Sequence, residues 1–365
     1  MIGLKIAVAG MKFLYFFIRL FPVRNKVVMI SRQSDEPSVD MLLIQKRLEE
    51  RMPDCRSVIL SKKLNGPGYV FHIIRQMYHI ATSHTVILDS YCIPICVLNH
   101  KKSLTVIQMW HSIGQMKCFG YAMLDMPEGK SHELAEVMRL HRNYDYMLLS
   151  SYAYLSDYIS GFHARPEQVL QIPLPRADLL SDPAYMARER ETFLEENHCD
   201  KNKKTILYCP TFRKSAVYDD TGKVNELING VDFSRYNFVY KPHNVSDLKI
   251  DDSRVITVSG SEIGALAAAD YVISDYSSII YEAGICDKTV YLYAYDWEEY
   301  RTRRKLYIDL ETEVPTIFTG DPEEILSAIR EDRFDHDAFR RFTDKYVVMP
   351  EPSCTDAIID LIREF

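Results

Sequence analysis

Residues 269–287 read ADYVISDYSSIIYEAGICD, and the change of pattern inside them decides the architecture. The run 271–274 is short, apolar and β-branched at its centre, which predicts a buried strand, while the pattern from Ile279 onward is helical. The polar tetrad Asp275, Tyr276, Ser277, Ser278 therefore falls on a strand-to-helix turn, the place where open α/β sheets bind ligands. N–H and O–H donors at a helix start suit a phosphate or diphosphate. A plainer reading competes with this one, in which Ser277 or Ser278 is an ordinary N-cap.

Working outward, the same alternation recurs. Apolar β-rich runs lie at 26–30, 57–60, 85–88, 104–109, 146–149 and 169–172, with helical segments between them. Near-continuous apolar strands separated by helices predict a parallel sheet covered on both faces. The stretch PLPRADLLSDP (173–183) interrupts the series and reads as an interdomain connection. A second series follows at 205–208, 238–240, 255–258, 271–274 and 289–293, and helical patterns at 322–330, 336–346 and 354–363 close the chain. The predicted fold is GT-B: two doubly wound Rossmann-like α/β domains facing across a cleft. Its parts are an N-terminal amphipathic helix at 1–22, domains at 23–176 and 177–350, and a C-terminal helix at 351–365. No GxGxxG or Walker sequence supports a dinucleotide oxidoreductase or a P-loop enzyme.

With 365 residues, 47% of them hydrophobic, the chain can bury two cores. A net charge of -7 leaves no basic excess for a nucleic-acid backbone. Eight cysteines are scattered through apolar runs without CxxC or zinc-type spacing, and they read as reduced, buried thiols. Residues 1–22 are mostly apolar, with Lys5, Lys12 and Arg19 spaced by seven along one helical stripe. Such a helix lies in the interface of an anionic membrane with its basic side chains toward the headgroups. The charges interrupt it too often for a spanning helix. The expected location is thus peripheral, on the cytoplasmic membrane face, against the alternative of a core strand at 5–9 followed by a helix.

Polar and cationic residues collect just after the predicted strands. QMWHSIGQMKCFGY offers His111 and Lys117; YCPTFRK offers Thr211 and Arg213; VYKPHN offers Lys241 and His243. An unperturbed histidine titrates near 6.5 and serves as a general base, and arginine grips phosphate oxygens as a fork. A surface ion pair or a structural histidine is the bland reading of each piece. Together with the tetrad they point to an anionic diphosphate ligand.

WHSIGQMKCFG, YCPTFR, YKPH and DYSSIIYEAGICDKTVYLYAYDWEEYRTRRKLYID resemble the CDP-glycerol glycerophosphotransferase family, the teichoic acid primases and polymerases, over about residues 20–345. The resemblance implies a GT-B enzyme of cell-wall polymer synthesis. Such an enzyme moves glycerol phosphate, or a related polyol phosphate, from CDP-glycerol or CDP-ribitol to a hydroxyl of an undecaprenyl-linked saccharide or teichoic acid acceptor, releasing CMP. It implies His111 as base, and His243, Ser277 and Ser278 as holders of the donor diphosphate. Ser112 stands where the family often has glycine, and Glu282 near an acidic position that accepts from a ribose hydroxyl. The loop SRQSDEPSVDM (31–41) also departs from the family's form, and the large extra N-terminal region of long polymerases is missing, which favours a primase. The expected mechanism has His111 deprotonate the acceptor, with a low-pH limb near neutrality. Cations and hydroxyls at Arg213, Lys241, His243, Ser277 and Ser278 hold the diphosphate. No cofactor and no metal clamp are expected, since cations of the protein can substitute for a metal. A GT-B sugar transferase using a nucleotide sugar and a non-catalytic membrane-surface scaffold are the competing functions.

Overall fold

A computed structural model describes residues 1–64, 68–211, 220–242, 250–258 and 262–365. The chain divides into two compact units, one of residues 1–114, 118–178 and 348–365, the other of residues 115–117 and 179–347.

The first unit contains β1 (Lys26–Ser31), β2 (Arg56–Ser61), β3 (Thr85–Leu88), β4 (Thr105–Gln108), β5 (Tyr146–Leu149) and β6 (Val169–Gln171). They form one sheet in the order β2-β1-β3-β4-β5-β6, parallel throughout, with Val27 opposite Thr85 and Ile107 opposite Tyr146. Every residue of β1 and β3 is buried, as a strand must be when helices cover both faces. The chain turns one way from β1 to β2 and the other way from β3 onward. The switch of direction therefore falls between β1 and β3.

Two terminal helices complete this unit. Ile2–Ile18 buries Val8 and Tyr15, and the Tyr15 hydroxyl lies 2.9 Å from His100 Nδ1. Residues 5–9 are thus helix, and the core-strand alternative is wrong. The C-terminal helix Cys354–Arg363 buries Ile358, Ile359 and Ile362. Asp178 accepts from the Cys354 and Thr355 N–H groups at 2.7 and 2.9 Å, satisfying donors that a helix start leaves open. Asp356 accepts from Arg47 Nε and Arg51 at 2.8 Å, and the guanidiniums hold its pKa at about 2.

The second unit carries β7 (Lys204–Tyr208), β8 (Tyr236–Tyr240), β9 (Val255–Thr257), β10 (Tyr271–Ser274), β11 (Thr289–Tyr293) and β12 (Phe318–Thr319). The order is β12-β11-β10-β7-β8-β9, all parallel, and the switch falls between β7 and β10. One face is rich in tyrosine: Tyr208, Tyr240, Tyr271, Tyr291 and Tyr293 are packed with Val224, Leu227, Ile325 and Ile329 from covering helices. Buried tyrosines need partners for their hydroxyls. The Tyr291 and Tyr293 hydroxyls donate to the Arg333 and Lys223 carbonyls at 3.0 Å. All eight cysteines are free thiols, seven of them buried and Cys286 half-buried. Of the strands among the described residues, sequence reading missed only the two-residue β12, too short to carry an alternation.

Candidate active site

In the first unit β4 ends at Gln108, and the next turn presents Trp110 and His111. Trp110 takes φ 63°, a left-handed conformation that a bulky residue adopts only where its surroundings enforce it. The enforcement is visible: the Trp110 N–H donates to Gln108 Oε1 at 3.0 Å, and its ring packs against Phe119 and Phe162 at 4.9 and 5.2 Å. That ring in turn lies 4.5 Å from the His111 imidazole. Positive φ in this turn falls at Trp110 and Gly114, so Ser112 replaces the family's glycine without backbone strain. Its hydroxyl donates to the Gly114 carbonyl at 3.2 Å.

His111 Nδ1 lies 2.9 Å from the Asp89 backbone carbonyl. A carbonyl only accepts, so Nδ1 carries the proton and Nε2 keeps its lone pair. The residue is solvent-exposed yet densely surrounded by protein atoms. This desolvation lowers its pKa from the ordinary 6.5 to about 4, Arg176 and Arg32 pushing the same way and the Asp89 carbonyl opposing. The shift corrects the expectation of titration near neutrality: enclosure and nearby cations favour the neutral base. Arg176 donates to the His111 carbonyl at 3.1 Å and pairs with buried Asp40 at 2.8 Å, fixing the backbone of the turn. Beside it, the buried Asp89 carboxyl leaves Oδ1 without a partner among the described residues. Burial raises its pKa to about 6, against hydrogen bonds from Ser31 and Ser90.

In the second unit the tetrad follows β10, beside the switch of strand order. It splits in two. Asp275 and Tyr276 are buried, Ser277 and Ser278 half-exposed. Asp275 accepts from the Thr211 N–H at 2.9 and 3.0 Å and from the Tyr276 N–H at 2.6 Å, tying the loop after β7 to the turn after β10. Asp275 therefore holds the turn from within. Tyr276 stacks on Tyr300 at 3.9 Å and donates to Asp296 at 2.8 Å. Ser278 occupies the N-cap of Ile279–Ile285 without a capping hydrogen bond, and Ser277 Oγ accepts from the Ile279 N–H only at 3.4 Å. The plain capping role is thus weak for both hydroxyls.

Lys117 reaches this group from residues 115–117. It bridges to Leu306, its Nζ donates to Thr211 Oγ1 at 3.3 Å, and its ammonium stands 5.7 Å over the Tyr300 ring. Lys241 is buried directly after β8, its N–H donating to the Tyr208 carbonyl at 3.0 Å. Glu282 is buried in the helix after the serines. Arg213 and His243 lie outside the described residues. The hydrogen bonds thus join Lys117, Thr211 and Asp275 into one network, next in the chain to the half-exposed serines. Sequence reading passed over Arg32, Asp89, Tyr91 and Arg176, of which the first three follow β1 and β3. The strand-end rule that found Thr211 would have found them.

Two parallel six-stranded units of this kind define a GT-B protein. The wall teichoic acid polymerase TagF, solved as a histidine variant soaked with CDPG, matches with a TM-score of 0.79 at 18% identity, over 97% of this chain and 92% of that one. The CDP-glycerol:poly(glycerophosphate) glycerophosphotransferase family model matches residues 13–364, and the chain belongs to that family. A teichoic acid ribitol-phosphate primase of Bacillus spizizenii is 28% identical, over 95% of this chain and 93% of its own length. A teichoic acid glycerol-phosphate primase of Bacillus subtilis is 26% identical, over 87% and 81%. The protein is an enzyme of the teichoic acid primase and polymerase family.

Proposed function

We propose that this enzyme uses a CDP-polyol, CDP-glycerol or CDP-ribitol, and transfers its polyol phosphate to a hydroxyl of a lipid-linked saccharide or teichoic acid acceptor. The observation that carries the assignment of roles is the hydrogen bond of His111, an exposed residue whose Nδ1–H is held by the Asp89 carbonyl, which leaves Nε2 unprotonated. Nε2 takes the acceptor proton, the acceptor oxygen attacks the phosphorus bearing the polyol, and the bond to CMP breaks with its electron pair on the CMP phosphate. Positioning and charge stabilisation do most of such a transfer. On the donor side the Ser277 and Ser278 hydroxyls, Lys117 and Lys241 face the diphosphate, with Thr211 and Asp275 setting the loop. Glu282 takes the ribose, and Arg213 and His243 join by family resemblance.

The N-terminal helix is the proposed peripheral membrane contact. It exposes Ile2, Phe13, Phe16 and Phe17, and Phe71 is 77% exposed on the helix it contacts. Among the described residues no helix is long and apolar enough to cross a membrane. Phe13→Ser with Phe17→Ser is expected to reduce sedimentation with anionic liposomes without loss of fold.

The deciding experiment offers CDP-glycerol, CDP-ribitol and a set of UDP-sugars with a lipid-linked disaccharide and measures nucleotide release. Acceptor-dependent CMP from at least one CDP-polyol is the expected result. Release from a UDP-sugar alone would move the enzyme to sugar transfer, and silence with every donor would favour the scaffold.

A further inference from the structure

Arg32 directly follows β1 and Tyr91 lies three residues past β3, so both stand at the carboxyl ends of the strands that flank the switch in the first unit. This is where a doubly wound sheet accepts ligands. The Arg32 guanidinium lies 5.4 Å and the Lys130 ammonium 4.7 Å from the centre of one ring, that of Tyr91. The ring is fixed: Tyr91 is buried, and its hydroxyl donates to the Met138 carbonyl at 2.6 Å.

The loop that carries Lys130 is tied down as well. The Asp125 N–H donates to the Lys130 carbonyl at 2.9 Å, and Asp125 Oδ1 accepts from the His132 N–H at 3.0 Å. A Cβ at Gly129 would stand 1.6 Å from the Met123 carbonyl oxygen, so the close approach there requires glycine.

Neither cation has a carboxylate partner among the described residues. Asp40 is committed to Arg176, and Asp89 is held by Ser31 and Ser90. The charge of Arg32 reaches both Lys130 and His111, lowering the pKa of each. Two like charges that act on each other beside one ring, with no carboxylate paired to either among the described residues, form a group that an anion would complete.

We propose that Arg32 and Lys130, set over Tyr91, form a phosphate subsite for the acceptor, so that the preferred acceptor carries a phosphate near the hydroxyl that His111 deprotonates. The inference rests on the transferase reading of His111 above. Arginine supplies a fork and lysine a point charge, a pairing suited to phosphate oxygens. The phosphate has two possible sources: a polyol phosphate already on the chain end, or the diphosphate that joins saccharide to lipid.

Three soluble acceptors separate them: a disaccharide alkyl glycoside bearing terminal glycerol phosphate, the same disaccharide as an alkyl diphosphate without glycerol phosphate, and the neutral alkyl disaccharide. CMP release gives kcat/KM for each, with wild type and with the Arg32→Gln/Lys130→Gln double variant. Wild type is expected to use one phosphate-bearing acceptor at least about tenfold better than the neutral one. The double variant should lose about a hundredfold on that acceptor, about tenfold per charged contact, and far less on the neutral one. The acceptor that suffers identifies the source. Equal losses on all three, or no wild-type preference for phosphate, would overturn the proposal. Arg32→Lys should recover part of the loss, which a folding defect would not allow. If wild type releases no CMP from any donor, the transferase reading fails, and the subsite is judged by calorimetric titration of glycerol 3-phosphate. Binding abolished in the double variant sustains it, and absence of binding to wild type defeats it.

Discussion

The two switch points of this chain are built alike and equipped differently. In each unit the strand order reverses beside the strand that starts the sheet, and the residues just past the strand ends are polar. At the second, the acid is turned inward: Asp275 is buried and holds the Thr211 N–H, and the two serines that follow are half-exposed. At the first, Arg32 and Lys130 have no carboxylate partner among the described residues, and the surroundings of His111, after the neighbouring strand, favour its neutral form. Under the proposed function, one topology serves twice, as a cradle for a donor phosphate and as a proton-accepting surface for an acceptor. The strand order supplies the place, and the few residues after each strand supply the chemistry.

Mutations test that division most sharply where they act on one side alone. His111→Ala removes the base and is expected to cost turnover about a hundredfold to ten-thousandfold, while the donor dissociation constant measured by calorimetry barely moves. A matching loss of donor affinity would merge the two roles. Asp275→Ala should do the reverse. It deletes the buried acceptor that sets the loop after β7, and donor KM should rise about ten- to a hundredfold, with the acid limb of the rate profile unmoved. A variant with unchanged donor KM would show that the loop keeps its shape without the clamp. Ser278→Ala carries the smallest effect, about three- to tenfold in donor affinity for one neutral hydroxyl. No change there would leave Ser277 and the backbone as the donor contacts.

Much of this was legible in the sequence, because doubly wound sheets write their strands as apolar runs and their sites as the residues that follow. The turn after β10 was readable in this way, and so was His111 after β4. Burial was not readable: nothing in the letters DYSS separates the inward Asp275 and Tyr276 from the outward serines, since that split arises from the loop after β7 arriving alongside. The fate of the last helix was equally hidden. Its amphipathic pattern demands a partner, but only the fold shows that Asp178 and Arg47, far away in sequence, provide it. Lys130 carries no local signal either, sitting in a loop whose course is set by Gly129 and Asp125. The direction of the His111 shift was not legible either, because sequence supplies only the unperturbed value, whereas enclosure and two arginines push it down.

The division of labour is tested most directly by the pH dependence of kcat/KM in wild type and His111→Ala. Protonation of Nε2 removes the base, so the rate falls as pH drops through the His111 pKa. With that pKa lowered toward about 4, wild type should hold its rate between about pH 6 and 8 and lose it well below neutrality. In His111→Ala the residual rate should show no such limb. A wild-type limb centred near 6 that persists in the variant would point instead to the buried Asp89 carboxyl, whose pKa is raised to about 6, and would contradict the assignment of His111 as the base.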